Sequence, residues 1–267
     1  MSKIGLGIVT CNREDFYVEC LNHVPMDIVD ELVTVNDGDK YSTTSDNFIQ
    51  HETNKGVGIS KNDALNFLIE KDCTHLFLIE DDILIKDKNV FKKYIEAVNV
   101  TGMKHFMYGY HGPANKDASK NPNPRLVVEY SKDLSIALNL HCVGAFCYYH
   151  KSVIDKVGLM DEKYKNAWEH VDHSYAIAKS GFIPAYWWWP DLADSFNYLD
   201  EQACSEEVEK GAIRKLPDWS SNIQMGVEHF ISKWGTYPGG PQGVPETDQA
   251  EIINRLKFIK EKHGNRI

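Results

Sequence analysis

The sequence predicts an α/β protein with a mostly parallel central sheet flanked by helices. Three observations carry this. Strand-like and helical patterns alternate through the first hundred residues. One of the runs, "HLFLIEDD" at 75–82, is almost continuously apolar until its acids, as a strand covered on both faces should be. Polar loop chemistry follows each strand-like run, which places polar clusters beyond the carboxyl ends of the strands, where such sheets bind ligands.

Taken in order, "IGLGIVT" (4–10) reads as a buried strand and "CNRED" as the loop after it. Residues 14–23 form a short helix. "ELVTVNDGD" (31–39) is a second strand ending in a turn, because Asn-Asp-Gly-Asp is strong turn chemistry. "FIQHETN" (48–54) is a third, shorter strand. Residues 58–72 form a helix on which Ile59, Ala64, Leu65, Leu68 and Ile69 make one apolar stripe. The 75–82 strand follows, then a helix over 89–102 closed by Gly102. The middle is less regular. Residues 111–125 hold three prolines and few apolar side chains and read as a flexible surface loop. A strand and helix fill 143–158, and a helix over 169–181 ends at Gly181. "FIPAYWWWPDLADS" (182–195) is an aromatic strand and loop. An amphipathic helix occupies 248–264, and no internal repeat is visible.

The 267 residues suit one large α/β domain or two small ones, and 42% apolar with 25% charged residues is ordinary for a globular protein. A formal charge of −10 argues against broad electrostatic capture of nucleic acid and suits recruitment of a divalent cation. No run reaches the ~18–20 apolar residues that cross a bilayer, and "MSKIGLGIVT" lacks a signal-peptide layout, so a cytoplasmic protein without a transmembrane segment is expected. Six cysteines stand at 11, 20, 73, 142, 147 and 204. Cys142 and Cys147 have no second pair to complete a zinc site, so free thiols in a reducing compartment are expected.

Four clusters could carry chemistry. Glu80, Asp81 and Asp82 end a buried strand. Adjacent carboxylates repel and are costly to desolvate, and a hard divalent cation relieves both costs. A solvated loop after the strand is the plainer alternative. In "NKGVGISKND" (54–63), two glycines precede a helix with Lys61 near its start, a setting that favours phosphate or forms an ordinary turn. Glu169, His170, Asp172 and His173 crowd one turn, as a general base or metal site would, or as a polar helix start. On a helix 169, 172 and 173 share a side and 170 lies apart. In "YWWWP" (186–190) one or two of the tryptophans are expected in the core, while strand alternation sends the middle Trp188 to the other face, where it could stack on a sugar or a base. His229, Lys233 and Trp234 form another candidate edge.

In order, these pieces resemble the GT-A fold glycosyltransferases, especially the large family 2 group. Thr10-Cys11-Asn12-Arg13 matches a "T-x-N-R" loop, and Asn36-Asp37-Gly38-Asp39 matches "D-D-G-S". Asn54, Gly56, Lys61 and Asn62 match "N-x-G-x-x-x-x-R-N", with lysine for the usual arginine. Glu80-Asp81-Asp82 stands where a DxD-type motif belongs; an E-D-D form is familiar from N-acetylglucosaminyltransferases of this fold. Gly144-Ala145-Phe146 through Gly158 and Asp161-Glu162 match a "G-A-F…R-x-x-x-x-x-x-G-x-x-D-E" pattern, and Glu169-His170-Val171-Asp172 through Gly181 match "E-D-x-D-x-x-x-R-x-x-x-x-G". The resemblance covers roughly 4–183.

It implies a Rossmann-like nucleotide-sugar-binding half over 1–102, a smaller acceptor-binding and catalytic half of the same GT-A domain over 103–247, and a C-terminal helix over 248–267. It implies a nucleoside-diphosphate sugar donor, usually a UDP-sugar. Thr10, Asn12 and Arg13 would line the nucleotide, Asp37 would bond the base, and Lys61 would approach the diphosphate. Glu80 or Asp81 would reach the ribose or donor sugar, and Asp82 would bind Mn²⁺ or Mg²⁺. Transfer to an acceptor hydroxyl would be inverting, with the base in the Glu169–Asp172 turn. Here His170 replaces the usual aspartate; an imidazole can serve as base, as can Glu169 or Asp172, or His170 can be a metal ligand or substrate contact. Trp168, Trp188 and His173 are candidate acceptor contacts. The acceptor class implied is a glycan; a hydroxymethylated base of bacteriophage DNA, flipped from the duplex, is an alternative. A nucleotidyltransferase would show a glycine-rich basic loop after the first strand, which "TCNRED" lacks. A non-catalytic sugar- or nucleotide-binding module on a GT-A scaffold is favoured only by His170.

Overall fold

In the computed structural model, which describes residues 2–202, 215–239 and 247–264, the central sheet grows from β1 (Ile4–Thr10). β2 (Glu31–Asn36) and β4 (His75–Glu80) flank it, both parallel. The short β3 (Phe48–Gln50) extends the sheet beyond β2, also in parallel. On the far side β9 (Phe146–His150) lies antiparallel to β4 and to β6 (His105–Met107). The order is β3-β2-β1-β4-β9-β6.

The middle of this sheet is apolar on both faces because helices cover both. On one face α2 (Val57–Glu70) comes so close that only glycine fits at Gly5 and Gly7: a Cβ at either would lie 2.8 Å from Leu68 or Ala64. On the other face Phe77 meets Phe91 and Tyr94 of α3 (Asn89–Thr101) edge-on, with ring centroids 4.7 and 6.4 Å apart. α1 (Glu14–Asn22) follows the loop after β1. α7 (Gln249–His263) packs Ile252, Leu256 and Ile259 inward. Gly102 lets α7 approach α3: it caps α3 in the left-handed region, and a Cβ there would strike the Ile259 carbonyl at 2.6 Å.

Two smaller sheets stand on this frame. β10 (Trp189–Leu192), β8 (Leu134–Asn139) and β7 (Leu126–Ser131) form an antiparallel set in that order. β5 (Ile83–Ile85), directly after the acid turn, pairs antiparallel with β11 (Leu199–Glu201). α4 (Lys151–Val157), α5 (Glu169–Lys179) and α6 (Trp219–Trp234) complete the elements. Among the described residues no helix is long and apolar enough to cross a membrane.

Several expectations are revised. The third strand stops at Gln50, because the chain then turns in to bond Asp37. The 182–195 strand shortens to β10, since Trp187 takes a left-handed φ of 66° that a strand cannot hold. The 111–125 stretch is tied down rather than loose: buried Asn115 donates to the carbonyls of Gly109 and His141 at 2.7 and 3.0 Å. The hairpin β7–β8 falls where the sequence reading assigned no element. Cys204 lies outside the described residues; the other five cysteines are free thiols.

Candidate functional site

β4 delivers the acids to the rim. Its apolar residues are buried through Ile79, Glu80 is the last strand position, and Asp81 and Asp82 form the turn before β5. Asp81 and Asp82 are themselves buried, at 0% and 4% exposure, so their charge must be met inside the protein. Arg13, from the loop after β1, meets it. Its guanidinium donates to both oxygens of Asp81 and stands 3.5 Å from Oδ2 of Asp82. Thr10 Oγ1 donates to Asp81 at 2.7 Å. Burial pushes the Asp81 carboxyl up to about 7 against the pull of Arg13, and the neighbouring Asp82 pushes it further. Thr10 and Arg13 thus stand at the rim as expected, but both face Asp81. Asp81 in turn points inward at them rather than out toward a sugar.

The turn is stapled from a distant part of the chain. Gln202 donates its backbone N–H to the Asp82 carbonyl at 2.8 Å and its side-chain amide to the Asp81 carbonyl at 2.9 Å. Glu201, one residue earlier, accepts from Lys116 at 3.1 Å and from the Gly112 N–H at 2.5 Å. His111 sits between: its Nε2 is 3.5 Å from Asp82 Oδ1 and 3.5 Å from Glu201 Oε2. Burial alone would lower its pKa, but these carboxylates outweigh it and raise it.

Lys61 departs from the expectation of a phosphate contact. It is 2% exposed, and its Nζ donates to Glu80 at 2.9 Å, to Glu169 at 3.0 Å and to the Gly144 carbonyl at 3.0 Å. An ammonium has three protons, so all are used. Burial would lower its pKa; Glu80 and Glu169 more than offset that and raise it. Lys61 therefore ties the acid turn to the first turn of α5.

In that turn Glu169 Oε1 also accepts from His170 Nδ1 at 3.0 Å, while Oε2 is buried with no hydrogen-bond partner among the described residues. Burial would raise the Glu169 pKa, but Lys61 and then His170 hold it well below the usual carboxylate range. The His170 ring is partly exposed and lies against Gly144, where a Cβ would fall 2.6 Å from its Cγ. Asp172 is locked elsewhere. It accepts from Trp234 Nε1 at 2.6 Å, Lys233 Nζ at 2.8 Å and Tyr164 Oη at 3.1 Å. His229 and Lys233 also hold Asp161, at 2.9 and 3.1 Å. The α6 edge foreseen as a contact surface is thus a clamp on the segment before and within α5. Asp172, 2% exposed and so occupied, does not fit the role of base.

The remaining predicted contacts are also turned inward. Asp37 accepts from His51 Nδ1 at 2.6 Å and from the backbone N–H groups of Lys55 and Gly56, each at 2.7 Å, so its carboxylate shapes the 54–56 loop instead of facing a base. His51 Nε2 reaches Asp63 at 2.8 Å. Asn12, at a left-handed φ of 54°, braces the 36–39 turn by accepting from the Asp39 N–H at 2.6 Å. Trp188 is 4% exposed and lies under the Arg125 guanidinium, 3.8 Å from the ring centroid, so it is not an open stacking platform. Trp168 caps α5 at φ 74° and donates to the Ile223 carbonyl at 3.3 Å, packed against Gly226 of α6. Buried His173 donates from Nε2 to the Gly158 carbonyl at 2.9 Å. All three are thus engaged by other parts of the chain. His111, Glu201 and Gln202 carried no local motif and were not foreseen.

No family model matches the chain. A curated protein of Acanthamoeba polyphaga mimivirus, the uncharacterized glycosyltransferase R363, is 26% identical over 193 residues, 67% of this chain and 70% of that one. Among solved structures, S. aureus TarS superposes with a TM-score of 0.51 at 17% identity, over 97% of this chain and 49% of that one. GalNAc-T7, solved with UDP, GalNAc and Mn²⁺, gives 0.52 at 10% identity, over 97% and 56%. The chain spans about half the length of TarS. These likenesses show the fold: it is the GT-A fold of glycosyltransferases.

Proposed function

We propose that this GT-A glycosyltransferase moves a sugar from a nucleoside-diphosphate sugar, a UDP-sugar before others, to an acceptor hydroxyl with inversion at the anomeric carbon. One observation carries the reading: a single ammonium, Lys61 Nζ, holds Glu80 of the acid turn and Glu169 of the α5 turn, so donor-side acids and a base-bearing turn share one site. UDP in the GalNAc-T7 structure supports the donor class.

Asp82 is the residue that would hold Mn²⁺ or Mg²⁺, with His111 beside it. Their 3.5 Å separation is longer than a good hydrogen bond. No three His, Cys, Asp or Glu side chains among the described residues form a cage, so diphosphate oxygens would complete the shell, as is usual for Mg²⁺. When bound, the ion supplies Lewis-acid charge to the leaving diphosphate. Mn²⁺ in the GalNAc-T7 structure is consistent with this.

His170 is the base. The Glu169 carboxylate accepts from Nδ1, so Nδ1 carries the proton and Nε2 keeps the lone pair. The acceptor hydroxyl gives its proton to Nε2. Its oxygen forms the new bond to the anomeric carbon as the bond to the diphosphate oxygen breaks. Glu169 is too buried and too firmly held to play that part. The acceptor is read as a glycan hydroxyl; the net charge of −10 weighs against a DNA duplex.

Thermal unfolding with UDP-, GDP-, CMP- and dTDP-sugars, with and without Mn²⁺, tests the reading. A UDP-sugar with Mn²⁺ should raise the melting temperature, and Asp82→Asn should abolish that rise. His170→Ala should keep the rise and lose transfer. No stabilisation by any donor would leave the non-catalytic reading in its place.

A further inference from the structure

We infer that Lys61 and Glu169 act as a positioning pair for His170: they fix its ring and its tautomer, and Lys61 serves this carboxylate rather than the donor diphosphate. The inference rests on reading His170 as the base.

The geometry is specific. An imidazole free in water distributes its proton between two nitrogens, and only the one without it can accept. Here Nδ1 stands 3.0 Å from Glu169 Oε1, an oxygen that Lys61 holds from the other side at 3.0 Å. A carboxylate kept ionised by an adjacent ammonium can only accept, so the proton is drawn to Nδ1 and the lone pair to Nε2. Gly144 closes the arrangement: its carbonyl takes the third Lys61 proton, while its bare Cα leaves room for the ring. One residue thus holds both ends of the relay. Of the other ionisable groups around this turn, burial pushes the Cys142 thiol up, holds His105 down to about 3 and lowers buried His173. Glu80 shares the Lys61 ammonium at 2.9 Å; Glu169 is the carboxylate that meets Nδ1 and so sets the tautomer. Lys61 has no proton left for a phosphate oxygen.

The test uses the full chain with ¹⁵N-labelled histidine. Long-range imidazole spectra, with His170 assigned through His170→Asn, report which nitrogen is protonated. The wild type should show Nδ1–H. Glu169→Ala should release it to a mixture dominated by Nε2–H and lower kcat by about 100-fold, with KM for the donor within about two-fold. Glu169→Gln, whose carbonyl can still accept, should recover part of both. Lys61→Met should disturb the tautomer and lower kcat while UDP–Mn²⁺ binding, measured by calorimetry, stays within about two-fold. If Lys61→Met fails to fold around two uncompensated carboxylates, the double variant Lys61→Met, Glu169→Gln carries the same binding test. A loss of UDP–Mn²⁺ affinity of about ten-fold or more in either would assign Lys61 to the diphosphate and overturn the inference. So would Nε2–H in the wild type. Full transfer by His170→Ala would instead overturn the choice of base.

Discussion

Asp191 shows what a buried carboxyl costs at a single residue. It is fully buried, and its oxygens accept from Tyr94, Ser195 and the N–H groups of Gly109 and Leu192 at 2.6 to 2.8 Å. Burial still prevails over these bonds and pushes it up to about 7 from an ordinary 3.8. The folded chain therefore keeps this proton where the unfolded chain has lost it. Its contribution to stability is full below about pH 4 and is lost as pH rises through about 7. Asp191→Asn removes the titration and sets an amide N–H against a donor, at a cost of about 1–3 kcal/mol. Denaturant unfolding should show the gap between wild type and variant larger at pH 5 than at pH 7.5; an equal gap at both would contradict this account. None of it was legible beforehand, because "WPDLADS" reads as a loop acid after a strand. The acid turn was more legible. Glu80–Asp82 was placed at the rim from the apolar run before it. The inward turn of Asp81 was not, because its partner Arg13 is 68 residues away.

Among the elements, β11 does the most for the site. It pairs with β5 and is followed directly by Gln202, whose two donations hold the carbonyls of Asp81 and Asp82. Gln202→Ala removes the side-chain half of that hold. UDP–Mn²⁺ affinity should weaken by about ten-fold while the melting temperature falls by less than about 4 °C. Unchanged affinity by calorimetry would mean that the turn holds its shape without the staple. The central strands were readable from their apolar runs, α2 and α7 from an apolar stripe, and α3 and α5 from the glycines that close them. β7 and β8 were not. They meet at Lys132-Asp133, which supplies no glycine or proline to mark a turn, and β7 is half exposed. α6 was not read as a helix, although His229, Lys233 and Trp234 on it were singled out; that Lys233 and Trp234 clamp Asp172 about 60 residues away leaves no trace in the local pattern.

At the scale of the molecule, the acid turn and the α5 turn are made one site by charge neutralisation across the sheet. Lys61 reaches Glu169, 108 residues further along the chain, and a sequence shows only that both partners are charged. The rule that ligands gather beyond strand ends found the right rim; it could not tell which side chains face a substrate and which hold the scaffold. The sheet itself crosses residue 102. β9, from the later part of the chain, fills the edge of β4 that β1 leaves open. A fragment of residues 1–102 should therefore fail to fold alone, giving a collapsed amide NMR spectrum, whereas the whole chain gives dispersed peaks. A dispersed spectrum from the fragment would show that the β4 edge needs no partner.

That placement of β9 also sets a clock. During synthesis β4 emerges with one side paired and its other apolar edge waiting for a strand made ~65 residues later, roughly 3–13 s at ~5–20 residues per second. For that interval the nascent chain carries an open edge of buried-type sequence, "HLFLI", with charge only at its end. The acids that later serve the site, Glu80 to Asp82, are in that interval the nearest thing to a guard against mispairing.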